Sequence, residues 1–165
     1  MYSTNIESLH SDNPLDLLEE IVSANNWFFE RSGDDEMVVD ISECDGHYKL
    51  YVLWQAERNA IQFGCQFNLL VTTNRQRTIN DLLSLLNQQL WLGHFDVSGV
   101  ENTIMFRHTM LVSGFLGATI EQLIDVIQIA MDECQRCYPA FQLVLEHGQS
   151  AEEVFMLTLD VAGRA

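Results

Sequence analysis

Cys134 and Cys137 are spaced as Cys-x-x-Cys, a pattern that serves both redox chemistry and zinc binding. A redox pair of this kind follows a strand and opens a helix, but this pair lies near the last turns of a helical pattern. A zinc site needs four ligands, and no second Cys pair is present, so His94 or His108 would have to supply them through folding. We therefore predict structural thiols, with Cys134 on the apolar stripe of a helix.

His94, Asp96, Arg107 and His108 lie on the two strands of one predicted hairpin. Either histidine could act with Asp96 as a general acid–base pair. No Gly-x-Ser-x-Gly, P-loop or Gly-x-Gly-x-x-Gly motif accompanies them. Arg107 is expected to pair with Asp96 across the hairpin, and His108 alternates with apolar residues, which is typical of a core or interface histidine. We predict no enzyme activity, cofactor or metal, and keep a ligand-sensing or enzymatic domain built on these four residues as the alternative.

A polar row on the most regular strand is a second candidate site. Apolar residues at odd positions from Ile61 to Leu69 alternate with a row of glutamine, glycine and asparagine. A polar, nearly uncharged sheet face can bind a peptide or another subunit, although a solvated face is the simpler interpretation. The candidate interaction surface comprises Gln62, Gln66, Asn68, His94, Asp96, Arg107 and His108.

Periodicity and turn residues predict the elements that position these side chains. The pattern is helix, four strands, helix, two strands and C-terminal helices, or α-β-β-β-β-α-β-β-α-α. Asp45-Gly46 marks a hairpin, and Gly93 is predicted to end the second helix as a left-handed residue. Pro139 is expected to kink or break the long third helix. Strand runs joined by short turns favour an antiparallel α+β domain, with helices packed on the sheet, over a parallel βαβ fold.

Three helices have recognisable start signals. Asn13 can cap the first helix, with Pro14 in its first turn. Thr119 with Gln122 predicts a capping box for the long helix, and Ser150 with Glu153 predicts a cap for the last one.

Charge is the unusual feature of the composition. The chain has 24 acidic and 8 basic residues, a net charge of −16, and residues 1–45 alone hold 12 acidic residues and one basic residue. Repulsion from phosphate argues against nucleic acid and anionic membranes as partners. Solubility is the simpler reason for this charge, and attraction of a basic partner is the functional alternative.

The N-terminal residues and the length of the apolar stretches predict the domain organisation and the cellular location. No apolar run approaches the ~20 residues of a membrane span, and residues 1–13 lack the features of a secretory signal. We predict a disordered leader over residues 1–12, one domain over 13–165, a cytoplasmic location and free thiols.

Short segments along the chain resemble the YbjN family of bacterial proteins. They are Asn13-Pro14-Leu15-Asp16, Trp27-Phe28-Phe29-Glu30-Arg31-Ser32-Gly33, Leu90 to Asp96, Met105-Phe106-Arg107-His108, and Cys134 with Tyr138-Pro139-Ala140-Phe141-Gln142. The family is often labelled a sensory transduction regulator, and its fold resembles that of type III secretion chaperones. The resemblance implies a curved antiparallel sheet backed by helices, often in a dimer, and brings no catalytic residues. Phe115-Leu116 and Cys137 depart from the family pattern.

Together these observations predict a non-enzymatic, protein-interaction or chaperone-like regulatory domain in the bacterial cytoplasm. Its expected partner is a protein or peptide, or a second copy of the chain.

Overall fold

An antiparallel sheet of six strands organises the chain in the computed structural model, which describes residues 13–43, 46–112 and 117–162. The strands are β1 (Phe28–Ser32), β2 (Glu36–Glu43), β3 (Gly46–Gln55), β4 (Ala60–Leu70), β5 (His94–Val97) and β6 (Thr103–Leu111), in spatial order β1-β2-β3-β4-β6-β5. Within the same residues the helices are α1 (Pro14–Ala24), α2 (Gln76–Asn87), α3 (Ile120–Leu145) and α4 (Ala151–Ala162). The predicted α+β class and element order are confirmed. Residues 1–12, predicted as a disordered leader, and residues 44–45, 113–116 and 163–165 lie outside the described ranges.

Helices α1, α2 and α3 pack on one face of the sheet, and α4 packs on α2 and α3. Helix α1 contacts β1, β2 and β3, while α3 contacts β4 and α2 contacts β5. The strand residues that face these helices are nearly inaccessible, including Val39, Val52, Ile61, Cys65 and Phe106. Each such large apolar side chain contributes about 1.5–3 kcal/mol by burial. The opposite side, called here the helix-free face, carries the alternate residues of every strand.

An aromatic cluster fixes α3 to the sheet. The Phe141 ring of α3 lies edge-on to Phe67 of β4 at 5.4 Å and to Phe95 of β5 at 5.3 Å, between ring centroids. One turn earlier, Tyr138 stacks on Phe67 at 6.0 Å and meets Tyr48 of β3 edge-on at 6.2 Å. Such pairs add about 0.5–1.5 kcal/mol each beyond area burial. The family-like residues Phe95 and Phe141 therefore belong to the core, and the partly buried Tyr138 packs against it.

The predicted helix starts are confirmed. The Asn13 side chain accepts a hydrogen bond from the Leu15 N–H at 2.9 Å. Thr119 and Gln122 form a reciprocal capping box, with bonds of 3.2 and 3.1 Å. Ser150 and Glu153 do the same at the start of α4, both at 3.3 Å.

The predicted end of α2 at Gly93 is wrong. The helix ends at Asn87, whose side-chain oxygen accepts from the Phe95 N–H at 2.7 Å and whose amide donates to the Phe95 carbonyl at 3.0 Å. These two bonds hold the helix terminus against the outer edge of β5. Gly93 is left-handed, with φ of +70°, but it shapes the turn that enters β5.

Of the kink or break predicted at Pro139, the break is wrong, because α3 runs without interruption from Ile120 to Leu145. The kink stays a prediction. Proline removes one backbone hydrogen bond, but Cys137, Ala140 and Phe141 around it are all buried in the core. Their packing holds this part of the helix in place. Ile124 of α3 is 45% exposed, although it lies at helical spacing from the buried Ile127 and Met131.

Candidate interaction surface

The sheet register gathers most of the candidate residues on the helix-free face. Gln66 of β4 lies between Lys49 of β3 and Met105 of β6 in one row across the sheet. In the neighbouring row, Arg107 lies opposite His94. The candidate residues on this face are Gln62, Gln66, Asn68, His94, Asp96 and Arg107.

His108 lies on the other face of the sheet. It is paired with the buried Phe63 and shares the face of Phe106, as its alternation with apolar residues indicates. Burial, and secondarily the charge of His94, lower the pKa of His108 below its usual value. The strands therefore separate His108 from His94, Asp96 and Arg107, and the four side chains do not converge on one pocket. Among the described residues, no group of three or more His, Cys, Asp or Glu is arranged to hold a metal ion.

The predicted pair of Arg107 and Asp96 is confirmed. Nε of Arg107 lies 3.5 Å from Oδ2 of Asp96, and both side chains are about half exposed. The other Asp96 oxygen accepts from the Val97 N–H at 2.8 Å. An exposed pair of this kind contributes about 0–1 kcal/mol. These contacts give Asp96 a structural role at the edge of the helix-free face.

A concavity of about 710 Å³ opens on the helix-free face. Phe28, Lys49, Tyr51 and Gln66 line it, and Lys49 is the single lysine of the chain. The Gln66 amide donates to Oγ1 of Thr103 at 2.7 Å and also contacts the Glu101 carboxylate. Burial is the main cause that raises the pKa of Tyr51. The concavity therefore combines apolar surface with donors and acceptors able to bind polypeptide.

Exposed apolar side chains on this face were missed by the sequence analysis. Phe28 at the β1 edge is 64% exposed and Leu111 at the end of β6 is 71% exposed, while Leu53 of β3 is also exposed. Phe28 and Tyr51 each belong to an apolar run, which does not distinguish a core position from an outward one. The register assigns them to the outward rows, where Phe28 pairs with Asp40 and Tyr51 with Gly64.

The cysteines form a buried cluster. Cys65, Cys134 and Cys137 are free thiols with no exposed surface. Burial raises the pKa of Cys137 to about 12. Burial also raises the pKa of Cys134, and a hydrogen bond with Cys65 adds to the rise. Cys134 thus interacts with a thiol of β4, and the predicted place of Cys134 in the buried stripe of α3 is confirmed.

The fold and the surface define a class: a two-layer α+β domain whose described sheet has one helix-covered face and one open face. A family model described as "YbjN: Putative bacterial sensory transduction regulator" matches residues 14–143. The chain belongs to the YbjN family.

Two solved structures are similar to this chain. The crystal structure of YbjN from E. coli, described as "a putative transcription regulator", matches with a TM-score of 0.53 and 15% identity, over 81% of this chain and 90% of that one. The crystal structure of the ExsC-ExsE complex matches with a TM-score of 0.48 and 14% identity, over 74% of this chain and 88% of that one. Among curated proteins, none matches significantly. None of the helices in the described residues is long and apolar enough to cross a membrane.

Proposed function

We propose that this chain is a non-enzymatic regulatory domain that binds a partner polypeptide on its helix-free face. One observation carries the proposal: the exposed Phe28 lines a concavity on the sheet face that no described helix covers, and Leu53 and Leu111 are exposed elsewhere on the same face. A sheet face that is simply solvated alternates polar residues outward. Here Phe28, Leu53 and Leu111 stand in outward positions. Exposed apolar side chains beside polar groups are typical of protein-binding sites.

The polar groups of this face suit a peptide ligand. Gln66 and Thr103 offer amide and hydroxyl groups, and Lys49 and Arg107 offer positive charge within an acidic chain. Backbone groups of a bound segment could pair with these side chains while its apolar residues contact Phe28 and Tyr51. The partner's identity is open, and the cytoplasmic location stays a prediction.

The test compares proteins recovered with wild-type and altered chains from the native cytoplasm. The variant Phe28→Ser with Leu111→Ser removes apolar surface from the helix-free face without touching the core, because both side chains are mostly exposed. The matched control, Met156→Ser with Leu157→Ser, removes exposed apolar surface from α4. We expect the first variant to lose a partner that wild type and control retain. Equal recovery with all three chains would contradict the proposal.

Self-association is a second candidate, which the family resemblance and the edge position of β1 favour. An edge strand has backbone groups that can pair with another strand, including β1 of a second copy. Light scattering at several concentrations tests this candidate. A strict monomer at the highest concentration would exclude it.

A further inference from the structure

A groove lies on each side of the exposed ridge of α3, and the one beside Trp91 is mainly apolar. One groove, of about 310 Å³, lies between α3 and the turn before β5, where Trp91 and Leu92 face Val126 and Ile129. The other, of about 340 Å³, lies between α1 and α3, and Gln128 lines both. Trp91 is 76% exposed, which leaves most of a large apolar side chain in water. These grooves are on the helix side of the molecule, away from the helix-free face.

Acidic residues lie on α3 beside these grooves, and Asp125 lines the first one. Helix α3 carries four acidic residues against a single basic residue, Arg136. Arg136 is bound to Glu133 at 2.5 Å, so its charge is already compensated. Within the described part of the chain, Glu121, Asp125 and Asp132 on the ridge of α3 have no ion-pair partner. A ligand of this surface gains electrostatic energy only if it is basic.

We infer that the groove between α3 and Trp91 binds an amphipathic, basic helix of a partner protein. An apolar stripe at helical spacing would contact Trp91, Leu92 and Ile129, and flanking Lys or Arg side chains would reach Asp125 and its neighbours. A second copy of this chain fits poorly, because its corresponding surface has the same negative charge. The inference rests on the proposed protein-binding role, but it assigns a separate surface and a specific partner chemistry.

Synthetic peptides test this chemistry without knowledge of the partner. The probe is a fluorescein-labelled peptide of about four helical turns, with leucine on one face and lysine on the other. A scrambled isomer has the same charge but no apolar stripe, and a third peptide carries glutamate in place of lysine. Fluorescence anisotropy at physiological salt measures the dissociation constants.

The variants separate groove binding from general attraction to an acidic protein. Trp91→Ala and Asp125→Lys alter the groove, whereas Val100→Ala and Asp81→Lys make matched changes at exposed positions elsewhere. We expect the amphipathic basic peptide to bind about tenfold more tightly than its isomer, and each groove variant to weaken it about fivefold or more. The two control variants should leave its affinity nearly unchanged. Circular dichroism checks that every variant is folded.

Equal binding of the scrambled isomer would overturn the inference, and so would a lack of effect of the groove variants. Loss of peptide binding in Phe28→Ser with Leu111→Ser, but not in Trp91→Ala, would move the site to the helix-free face and also overturn it. The inference fails alone if peptide binding is absent while the helix-free-face variant still loses its cellular partner. The proposed function fails alone if the amphipathic basic peptide binds the groove while the helix-free-face variant keeps every cellular partner of the wild type.

Discussion

Gly93 is the residue where local conformation and packing constrain the chain most tightly. Its φ of +70° disfavours any side chain, and a Cβ there would lie 2.8 Å from the Arg107 carbonyl oxygen and against the Phe106 ring. We predict that Gly93→Ala lowers the free energy of unfolding by at least about 2 kcal/mol. Urea denaturation measures this change. Gly99→Ala is the matched control, because a Cβ at Gly99 meets no atom within 4 Å; similar losses in both variants would contradict the account.

His108 should make stability depend on pH. Burial lowers its pKa from 6.5, so below pH 6.5 the unfolded state takes up a proton that the folded state resists. The contribution of His108 is complete above pH 6.5 and is lost as pH falls towards its folded pKa. Free energies of unfolding between pH 7.5 and 5 should therefore fall more steeply for wild type than for His108→Gln. His147→Gln, which removes an exposed histidine, is the control, and parallel curves for wild type and His108→Gln would refute the prediction.

The buried thiols should be inert in the folded protein. Cys65, Cys134 and Cys137 are inaccessible, and raised pKa values leave little thiolate at Cys134 and Cys137. In a Cys44→Ser background, we predict that Ellman's reagent labels these three thiols only as fast as the protein unfolds. Addition of urea provides the positive control. Rapid labelling under native conditions, or a disulfide between Cys134 and Cys137, would instead support a redox role.

At the scale of elements, the side chain of Asn87 protects an edge strand. It binds both the N–H and the carbonyl of Phe95, and so uses backbone groups of β5 that could otherwise pair with another chain. Asn87→Ala removes both hydrogen bonds and should therefore lower the free energy of unfolding by about 1–3 kcal/mol. It should also increase association of the protein at high concentration. Denaturation and light scattering measure these effects. Gln88→Ala, which loses one exposed bond to Ser84, is the control and should behave like wild type.

The elements that sequence predicted well are those whose signals are local. The alternation from Ile61 to Leu69 and the capping pair Thr119 and Gln122 each specify their structure within a few residues. The end of α2 and the continuity of α3 depend on distant partners. The side chain of Asn87 ends α2 by binding the backbone of Phe95. The helical turn around Pro139 is held in place because Phe141 packs on β4 and β5. Neither contact can be predicted from a pattern of neighbouring residues in the sequence.

At the scale of the whole molecule, the candidate surface exists only through the sheet register. Phe28, Leu53 and Leu111 come from three separate strands, and only the order β1-β2-β3-β4-β6-β5 places them on one face. The pair Asp96 and Arg107 could be predicted because one hairpin contains both residues. The polar row of β4 could also be predicted, because one strand contains all of its residues. The position of the exposed apolar side chains on the same face could not be predicted without the order of all six strands.

Photo-cross-linking in cells tests the central claim, that the helix-free face binds a partner polypeptide. A benzophenone amino acid would replace Leu53 on this face or, as the control, Leu157 on α4, since both side chains are exposed. We predict a discrete protein adduct from position 53 that is absent from position 157 and weakened by Arg107→Glu. No adduct from position 53, or the same adduct from both positions, would contradict the claim.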